Sequence, residues 1–280
     1  MRKTLVRNAC ARRLLLLAWL MLLAAAPVVA QSLGLAPAEI RAAFKPGQPV
    51  QFELTLSNDG NTPVVMRTTV MDLWYNEKTN EKVFGTPGSL PRSASNWIEF
   101  VPRNFTVAAH GTGKVKVVVT PAQAVSGGYY AVLFVESKPE LAQAATAERK
   151  AVYSNLRLGA LILLSADGTE NYKIEVSDAK LTPPAPNHNL ELQFQLANKS
   201  NSHIFPQAKL AILNAHKQLV GRAESEPKRF FPDQKNAMSV SWPGSLPAGD
   251  YVAILTLVYG KDKVYTQEFP FTLSSPQEGK

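Results

Sequence analysis

Cysteine is almost absent from this sequence: among 280 residues the only one is Cys10, which lies near the N-terminus. We predict below that the first 30 residues are removed, so the remaining chain has no thiol. This excludes disulfides, a cysteine nucleophile and cysteine metal sites. The 250 residues that remain are enough for two domains of ordinary size, so we expect a hydrophobic core to stabilise the fold without crosslinks.

Sequence patterns of common enzymes are also missing. There is no GxSxG nucleophile elbow, no P-loop, no GxGxxG fingerprint and no HExxH zinc pattern. The four histidines do not stand at metal-binding spacing from one another; they are His110, His188, His203 and His216. We therefore expect a protein that is not an enzyme and that has no metal or other cofactor.

Long apolar runs are confined to the N-terminal segment. Five basic residues precede the leucine-rich residues 14–23, and residues 24–30 are mostly small. This order is typical of a cleaved signal peptide. The alternative is a retained membrane anchor, but Pro27 interrupts the run before it reaches the roughly 20 residues that a spanning helix needs. We predict cleavage after Ala30, a periplasmic location and no membrane span in the mature chain.

Excess positive charge is small once the signal peptide is set aside. Of the 30 basic and 22 acidic residues, five basic and no acidic ones lie before residue 31, so the formal net charge falls from +8 to +3. A surplus of this size gives little support to a nucleic-acid partner, and we expect none.

Alternation of apolar and polar residues runs through the mature chain, with few helix signals. Residues 51–57 place Phe52, Leu54 and Leu56 on one face, which is the pattern of a half-buried strand. Residues 129–137 are too apolar for an exposed edge and suit the centre of a sandwich, and residues 152–164 also have strand character. Short strands separated by turn residues are typical of antiparallel sandwiches.

The two halves of the mature chain repeat one pattern, an alternating strand that ends in an asparagine-rich turn. Residues 51–57 precede the first such turn, at residues 58–61, and residues 190–196 precede the second, at residues 198–201. The polar residues 165–169 separate the two halves. We predict an all-β protein of two tandem immunoglobulin-like β-sandwich domains. The predicted divisions are a signal peptide at 1–30, an N-terminal domain at 31–166 and a C-terminal domain at 167–280.

Aromatic residues are frequent in the predicted first domain. The group consists of Trp74, Tyr75, Trp97, Phe100 and Phe105. Packing in the core and on sheet faces is the simpler interpretation of these residues. A sugar-binding platform, as in an accessory domain of a carbohydrate-active enzyme, is the alternative.

Three segments of the first domain resemble the PapD-like periplasmic chaperones that assemble pili and fimbriae. Residues 39–58 resemble the opening strand pair of that family, residues 97–119 its Pro-x-x-Phe segment with the following strand, and residues 128–139 its apolar strand that ends in proline. The resemblance covers roughly residues 35–165. It implies two immunoglobulin-like domains that form an L, and a chaperone strand that completes the fold of a client subunit by β-augmentation.

The same resemblance implies a basic pair that holds the C-terminal carboxylate of the client, a role that suits arginine. By position, Arg41 is the cation of the opening strand, and Arg157 is the candidate for its partner in the last strand of the first domain. The residues of that last strand expected to contact the client are Leu156, Leu158, Ala160 and Ile162. The implied partners are fimbrial or similar secreted subunits and an outer-membrane usher.

Both domains are also similar to the two-domain WxL-interacting surface proteins. The shared features are Pro46-Gly47, the Gly127-Gly128 turn with its apolar strand, and the turn at residues 247–251. This likeness implies a non-enzymatic module that binds the cell surface, the cell wall or a partner protein. It predicts an exposed aromatic patch and no pair of cations in an interdomain cleft.

Overall fold

The computed structural model describes residues 33–137 and 156–274. These residues form four β-sheets that pack as two β-sandwiches, one in each half of the chain, which confirms the predicted all-β fold. The predicted signal peptide, its cleavage after Ala30 and the start of the strand predicted from residue 152 lie outside the described residues. None of the helical structure described here is long and apolar enough to cross a membrane.

Ten strands build the first sandwich. They are β1 (Leu33–Ala36), β2 (Glu39–Phe44), β3 (Val50–Asn58), β4 (Val64–Tyr75), β5 (Lys82–Gly85), β6 (Ile98–Val101), β7 (Asn104–Val107), β8 (Gly111–Val119), β9 (Gly127–Ser137) and β10 (Arg157–Ala166). One sheet has the order β1-β3-β8-β6, and the other has the order β2-β10-β9-β4-β5 with β7 also paired to β4. A single 3-10 turn, Ser95–Trp97, precedes β6.

The first two strands, β1 and β2, belong to different sheets of the first sandwich. β1 pairs antiparallel with β3, whereas β2 pairs parallel with the second half of β10. The chain therefore changes sheets between Ala36 and Glu39. This change brings β2 beside the last strand of the first sandwich.

Alternating side chains fill the space between these two sheets. Leu54 of β3 shares a buried cluster with Leu133 of β9 and Ile162 of β10. β9 pairs with β4 on one side and β10 on the other, which confirms the prediction that this apolar strand is central. Removal of these side chains from water is the main stabilising contribution to the sandwich.

Seven strands build the second sandwich. They are β11 (Ile174–Thr182), β12 (Leu190–Asn198), β13 (Gln207–Asn214), β14 (Leu219–Glu224), β15 (Lys235–Trp242), β16 (Gly249–Tyr259) and β17 (Lys263–Leu273). The two sheets have the orders β11-β12-β15 and β14-β13-β16-β17. Phe194 of β12, Leu210 of β13 and Leu255 of β16 are buried between them.

The two sandwiches touch through the turn that follows β12 and through the segment that precedes β15. The Gly128 N–H donates to the carbonyl of Asn201 at 2.9 Å, and the hydroxyls of Ser165 and Ser202 lie 2.9 Å apart. The Tyr75 hydroxyl donates to the carbonyl of Pro232 at 2.9 Å. These bonds tie the ends of β9, β10 and β4 to the second sandwich.

Candidate functional site

Arg41 lies in the cleft between the two sandwiches. Because Ile40 and Phe44 of β2 point into the core, the intervening Arg41 points out of the sandwich. Its guanidinium carbon lies 3.5 Å from the ring centroid of Phe205, a residue of the second sandwich. Its Nε donates to Glu39 Oε1 at 2.6 Å. Ring stacking and the ion pair together fix the orientation of this cation.

Glu39 joins Arg41 to a second arginine across the cleft. One carboxylate oxygen of Glu39 accepts from Arg41, and the other accepts from Nη1 of Arg229 in the second sandwich. The Glu39 and Arg229 side chains are only 22% and 20% exposed, so solvent screens their pairing less than that of a surface pair. Two cations share one carboxylate, which leaves a net positive charge at this point.

His203 lies behind these charges. Its ring packs edge-on against Tyr130 and Phe205, each with a centroid separation of 5.6 Å. Its buried Nδ1 has no hydrogen-bond partner among the described residues. Desolvation, reinforced by the charges of Arg41 and Arg229, lowers the pKa of His203 to about 4, although Glu39 opposes this shift. The imidazole is therefore neutral at physiological pH.

Four aromatic side chains form an interdomain aromatic cluster beside His203: Trp74, Tyr75 and Tyr130 from the first sandwich and Phe231 from the second. The Tyr130 and Phe231 rings meet edge to face at 4.7 Å, and those of Tyr75 and Phe231 stack at 6.2 Å. Burial raises the pKa of Tyr75 to about 12 and also raises the pKa of Tyr130, so both phenols stay protonated. Trp74 and Tyr75 thus pack between domains, in agreement with the simpler interpretation of the aromatic residues.

A cavity of about 360 Å³ opens beside this cluster. Arg41 lines it from the first sandwich, and the remaining walls come from the second sandwich. Lys261, at the turn between β16 and β17, supplies a further cation to the cavity. Its Nζ lies 3.3 Å from Asp167 Oδ1. The cleft therefore contains positive charge from both domains.

Arg157 does not join Arg41 in this cleft. The residue of β10 opposite Arg41 is Leu163, six residues further along the strand, which corresponds to about 20 Å. The Arg157 guanidinium instead lies 3.6 Å from the Phe134 ring centroid, and its Nε pairs with Glu136 at 2.6 Å. The prediction that Arg157 completes a cation pair with Arg41 is corrected here: the register of β2 against β10 keeps them apart.

The apolar residues predicted to contact a client mostly face the core. Ala160 and Ile162 are fully buried, and Leu158 packs against a buried cluster that includes Leu56. Leu156 alone of the four is exposed, at 38%. The prediction that side chains of Ala160 and Ile162 are available to a client is therefore corrected, because even-numbered residues of β10 point between the sheets.

The backbone of β10 presents a different surface. Residues 161–166 pair with β2 on one side and β9 on the other, whereas for residues 157–160 the only pairing within the described chain is with β9. Ser137 N–H donates to the Leu156 carbonyl on the β9 side, and Leu161 N–H donates to the Ala38 carbonyl on the β2 side. Alternation along the strand then directs the N–H and C=O groups of Arg157 and Gly159 away from β9.

The contributions of the second sandwich could not be predicted from local sequence. Arg229, Lys261 and His203 are distant from Arg41 in the chain and occur in no recognisable motif. Only the packing of the two sandwiches brings them to the cleft. Among the described residues there is no group of three or more His, Cys, Asp or Glu side chains that could hold a metal ion.

Comparison with known proteins gives matches among solved structures only. No family model and no curated protein matches the chain. The structure is similar to the class 5 fimbrial chaperone CfaA, with 11% identity, a TM-score of 0.49 and coverage of 85% of this chain and 98% of the other. It is also similar to the E. coli chaperone DraB, with 15% identity, a TM-score of 0.41 and coverage of 87% and 97%.

A third similar structure comes from the complex of the Salmonella enterica pilin SafA with the chaperone SafB. Here the identity is 12%, the TM-score is 0.42, and the match covers 87% of this chain and 97% of the other. Fimbrial chaperones are also the class of protein that the sequence of the first domain resembles.

Proposed function

We propose that this protein is an exported, non-enzymatic chaperone that holds a secreted subunit by adding the open edge of β10 to the subunit's sheet. The observation that carries this proposal is the half-paired state of β10: within the described chain, residues 157–160 pair with β9 alone. We further propose that Arg41 binds the C-terminal carboxylate of the subunit. Fimbrial or similar subunits are the proposed clients, and an outer-membrane usher is a proposed further partner in the periplasm.

The edge of β10 suits strand addition because its backbone groups alternate in direction. Arg157 and Gly159 direct N–H and C=O groups toward the open side, so an incoming strand can continue the ladder without disturbing the β9 pairing. A subunit that lacks a strand exposes similar unpaired groups and aggregates unless they are covered. Mutual pairing would satisfy the backbone of both proteins.

The residues of this chain that the sequence predicted to contact a client have different roles in this proposal. Leu156 remains a candidate contact because its side chain is exposed, whereas Leu158, Ala160 and Ile162 support the strand from inside the sandwich. Arg157 flanks the open edge and does not anchor the carboxylate. Arg41 has the orientation and charge to bind the carboxylate in the cleft.

Two substitutions at one position separate the backbone from the side chain. Arg157→Pro removes the N–H that faces the open edge, while Arg157→Ala removes the cation and keeps the N–H. Tagged protein would be isolated from the native periplasm together with its bound proteins, identified by mass spectrometry. We expect Arg157→Pro to capture at least about tenfold less subunit than the native protein, and Arg157→Ala to stay within about twofold.

Arg41→Ala tests the carboxylate anchor in the same experiment, with Lys263→Ala as the control for loss of a positive charge. We expect Arg41→Ala to reduce the captured subunit and Lys263→Ala to leave it unchanged. Equal capture by all variants, or isolation of cell-wall material in place of a small secreted subunit, would contradict the proposal. The second result would favour the surface-binding alternative.

A further inference from the structure

One edge of β4 has a short stretch without a neighbouring strand. On this side β7 pairs with residues 64–67 of β4, and β5 pairs with residues 72–75. The Thr68 N–H donates to the Arg103 carbonyl at 2.8 Å, just beyond the end of β7. Between these two neighbours, no strand of the described chain pairs with this edge of residues 69–71. We call this gap the β4 notch.

The backbone of Val70 points into the β4 notch. The N–H and C=O groups of alternate residues in a strand point to the same side. Because the Thr68 N–H points toward the β7 side, the Val70 N–H points there too. The strand ladders of residues 33–137 and 156–274 give it no acceptor on that side. The notch therefore contains a backbone donor that is open to a ligand.

A cavity of about 310 Å³ lies at the β4 notch. The buried side chains of Ile98 and Phe100, both from β6, form its inner wall. Arg67, Arg103 and Asn104 line its outer part, and all three are exposed. The volume is equivalent to roughly ten water molecules, so a small oxyanion fits with part of its hydration shell.

Thr68 contributes a buried hydroxyl group to this cavity. The residue lines the cavity and is only 3% exposed. Its Oγ1 is buried and has no hydrogen-bond partner among the described residues. Most buried polar groups in folded proteins have a partner, because a buried hydroxyl without one lowers the free energy of unfolding. A ligand oxygen in the cavity would supply the partner that this hydroxyl lacks.

The charge of the cavity is positive. Arg67 and Arg103 line it, and no Asp or Glu of the described chain does. The Arg103 guanidinium carbon lies 5.3 Å from the ring centroid of Phe100, so this cation lies beside the inner wall. Neither arginine forms an ion pair with another residue in the part of the chain that the structure describes.

The carboxylates on neighbouring strands do not neutralise these arginines. Glu136 lies opposite Arg67 on β9, but its carboxylate pairs with Arg157 Nε at 2.6 Å. Glu99 lies between the two inner-wall residues of β6, and alternation along the strand directs it to the opposite face of that sheet. The cavity therefore keeps the charge of two guanidinium groups.

This combination of groups suits a phosphate dianion. Two guanidinium groups balance two negative charges, whereas a carboxylate would balance only one. Guanidinium groups bind phosphate oxygens through paired N–H donors, and the Thr68 hydroxyl and the Val70 N–H add two further donors. A tetrahedral oxyanion has enough acceptor oxygens for all of them.

We propose that the β4 notch binds a phosphate dianion, either inorganic phosphate or the phosphate monoester of a lipid headgroup, through Arg67, Arg103, the Thr68 hydroxyl and the Val70 N–H. β9 lies between this notch and the open edge of β10. The site is therefore separate from the proposed client surface, and it does not depend on the chaperone function.

The first test titrates the purified exported protein with inorganic phosphate, and with acetate at the same ionic strength, by isothermal titration calorimetry. We expect phosphate to bind at least about tenfold more tightly than acetate, because only the dianion balances both arginines. In two-dimensional NMR spectra we expect phosphate to shift the Val70 amide resonance and to leave that of the core residue Leu54 in place. Equal affinity for the two anions would overturn the proposal.

Matched variants identify the binding groups. Arg67→Ala and Arg103→Ala are compared with Arg222→Ala, an exposed arginine of the second sandwich. We expect at least about tenfold weaker phosphate binding for each of the first two and a change within about twofold for the control. Native affinity in both Arg67→Ala and Arg103→Ala would overturn the proposal.

The role of the hydroxyl is tested by Thr68→Val, with the exposed strand residue Thr266 replaced by valine as the control. We expect Thr68→Val to bind phosphate about fivefold more weakly and Thr266→Val to bind it as the native protein does. Thermal unfolding without phosphate checks the fold: Thr68→Val should unfold at the same or a higher temperature, because it removes a buried hydroxyl without a partner. Unchanged phosphate affinity in Thr68→Val would exclude the hydroxyl from the site.

Co-sedimentation with lipid vesicles distinguishes the two sources of phosphate. The vesicles consist of phosphatidylcholine with phosphatidic acid, or of phosphatidylcholine with phosphatidylglycerol at equal charge. Binding to the first kind alone, with loss of binding in Arg103→Ala, would identify a lipid monoester, whereas phosphate binding without vesicle binding would identify free phosphate. Subunit capture with Arg157→Pro tests the chaperone function separately, so the two proposals can fail independently.

Discussion

Asn58 and Asn198 make the same hydrogen bonds in two different domains. Each is fully buried at the end of a strand, and each donates through Nδ2 to the carbonyl four residues later. Each also accepts at Oδ1 from the N–H two residues later. The four partners are Thr62 and Gly60 in the first domain, at 2.8 and 3.1 Å, and Ser202 and Ser200 in the second, at 2.9 Å each.

Replacement of either asparagine by alanine is expected to destabilise the protein. The substitution leaves buried carbonyl and N–H groups without partners, and we expect a loss of about 2–4 kcal/mol in the free energy of unfolding for each. Urea titration followed by circular dichroism measures the loss, with the exposed loop residue Asn187 replaced by alanine as the control. A loss below about 0.5 kcal/mol for Asn58→Ala and Asn198→Ala would contradict this interpretation.

The Glu39–Arg229 ion pair is expected to hold the domains together. Arg229→Ala removes the contact across the cleft and leaves Glu39 paired only with Arg41 in its own strand. We expect a loss of about 1–2 kcal/mol in unfolding free energy and faster hydrogen exchange at the Gly128 amide, which bonds to Asn201 across the interface.

Glu224→Gln is the control for the loss of an ion pair. Lys209 and Glu224 form an exposed ion pair within one sheet. Loss of this pair is expected to change the free energy of unfolding by less than about 1 kcal/mol and to leave hydrogen exchange at the Gly128 amide unchanged. Equal exchange of Gly128 in native protein and Arg229→Ala would show that the ion pair does not restrain the domains.

His203 is expected to make the folded protein less stable as the pH falls below about 6.5. Its pKa is about 4 in the folded protein against an ordinary 6.5, so the unfolded chain binds a proton more readily between these values. The contribution of the neutral His203 to the free energy of unfolding is complete above about pH 6.5 and is lost as the pH falls toward 4. The charged groups that face it are Arg41, Glu39 and Arg229.

Urea titrations at pH 7.5 and pH 4.5 measure this effect. We expect His203→Gln to reduce the difference in unfolding free energy between the two pH values by roughly 1–3 kcal/mol, whereas His216→Gln, at an exposed turn, leaves it unchanged. If His203→Gln and the native protein lose the same stability on acidification, His203 is not the group responsible.

Gly260→Ala is expected to destabilise the protein in two ways, through backbone strain at residue 260 and through a steric clash with a residue that lines the cleft. Gly168 also has a positive φ, +77°, but a Cβ there meets no atom within 4 Å, so Gly168→Ala reports the backbone strain alone. We expect Gly260→Ala to cost about 1–3 kcal/mol more than Gly168→Ala because the added methyl group collides with the Tyr172 ring. Similar losses in both variants, measured by urea titration, would show that Tyr172 moves aside freely.

The sequence predicted the elements that depend on local pattern. Alternation identified the strand that contains Leu54 and Leu56, and the continuous apolar run of β9 predicted a central strand. Arg41 was selected through the resemblance of residues 39–58 to the opening strand pair of a chaperone family, and not through an alternation pattern. The repeated asparagine turns were visible as well, although their hydrogen bonds were not.

Properties that depend on register and on domain packing could not be predicted. The sequence of β10 does not reveal that Leu163, and not Arg157, lies opposite Arg41, because register is set by pairing with distant β2. Nor does it reveal which face of a strand as apolar as β10 is internal, which is why Ala160 and Ile162 were expected to contact a client. Arg229 and Lys261 reach the cleft only through the packing of the second sandwich.

The central claim is that a subunit strand adds to the open edge of β10. Amide hydrogen exchange of β10, measured in the free protein and in the complex with the captured subunit, tests this claim most directly. The account predicts that the Arg157 and Gly159 amides, which face the open edge, exchange rapidly in the free protein and at least about a hundredfold more slowly in the complex. The Leu158 and Ala160 amides face β9 and serve as internal controls, protected in both states. Unchanged exchange at Arg157 and Gly159 in a stable complex would contradict strand addition at this edge.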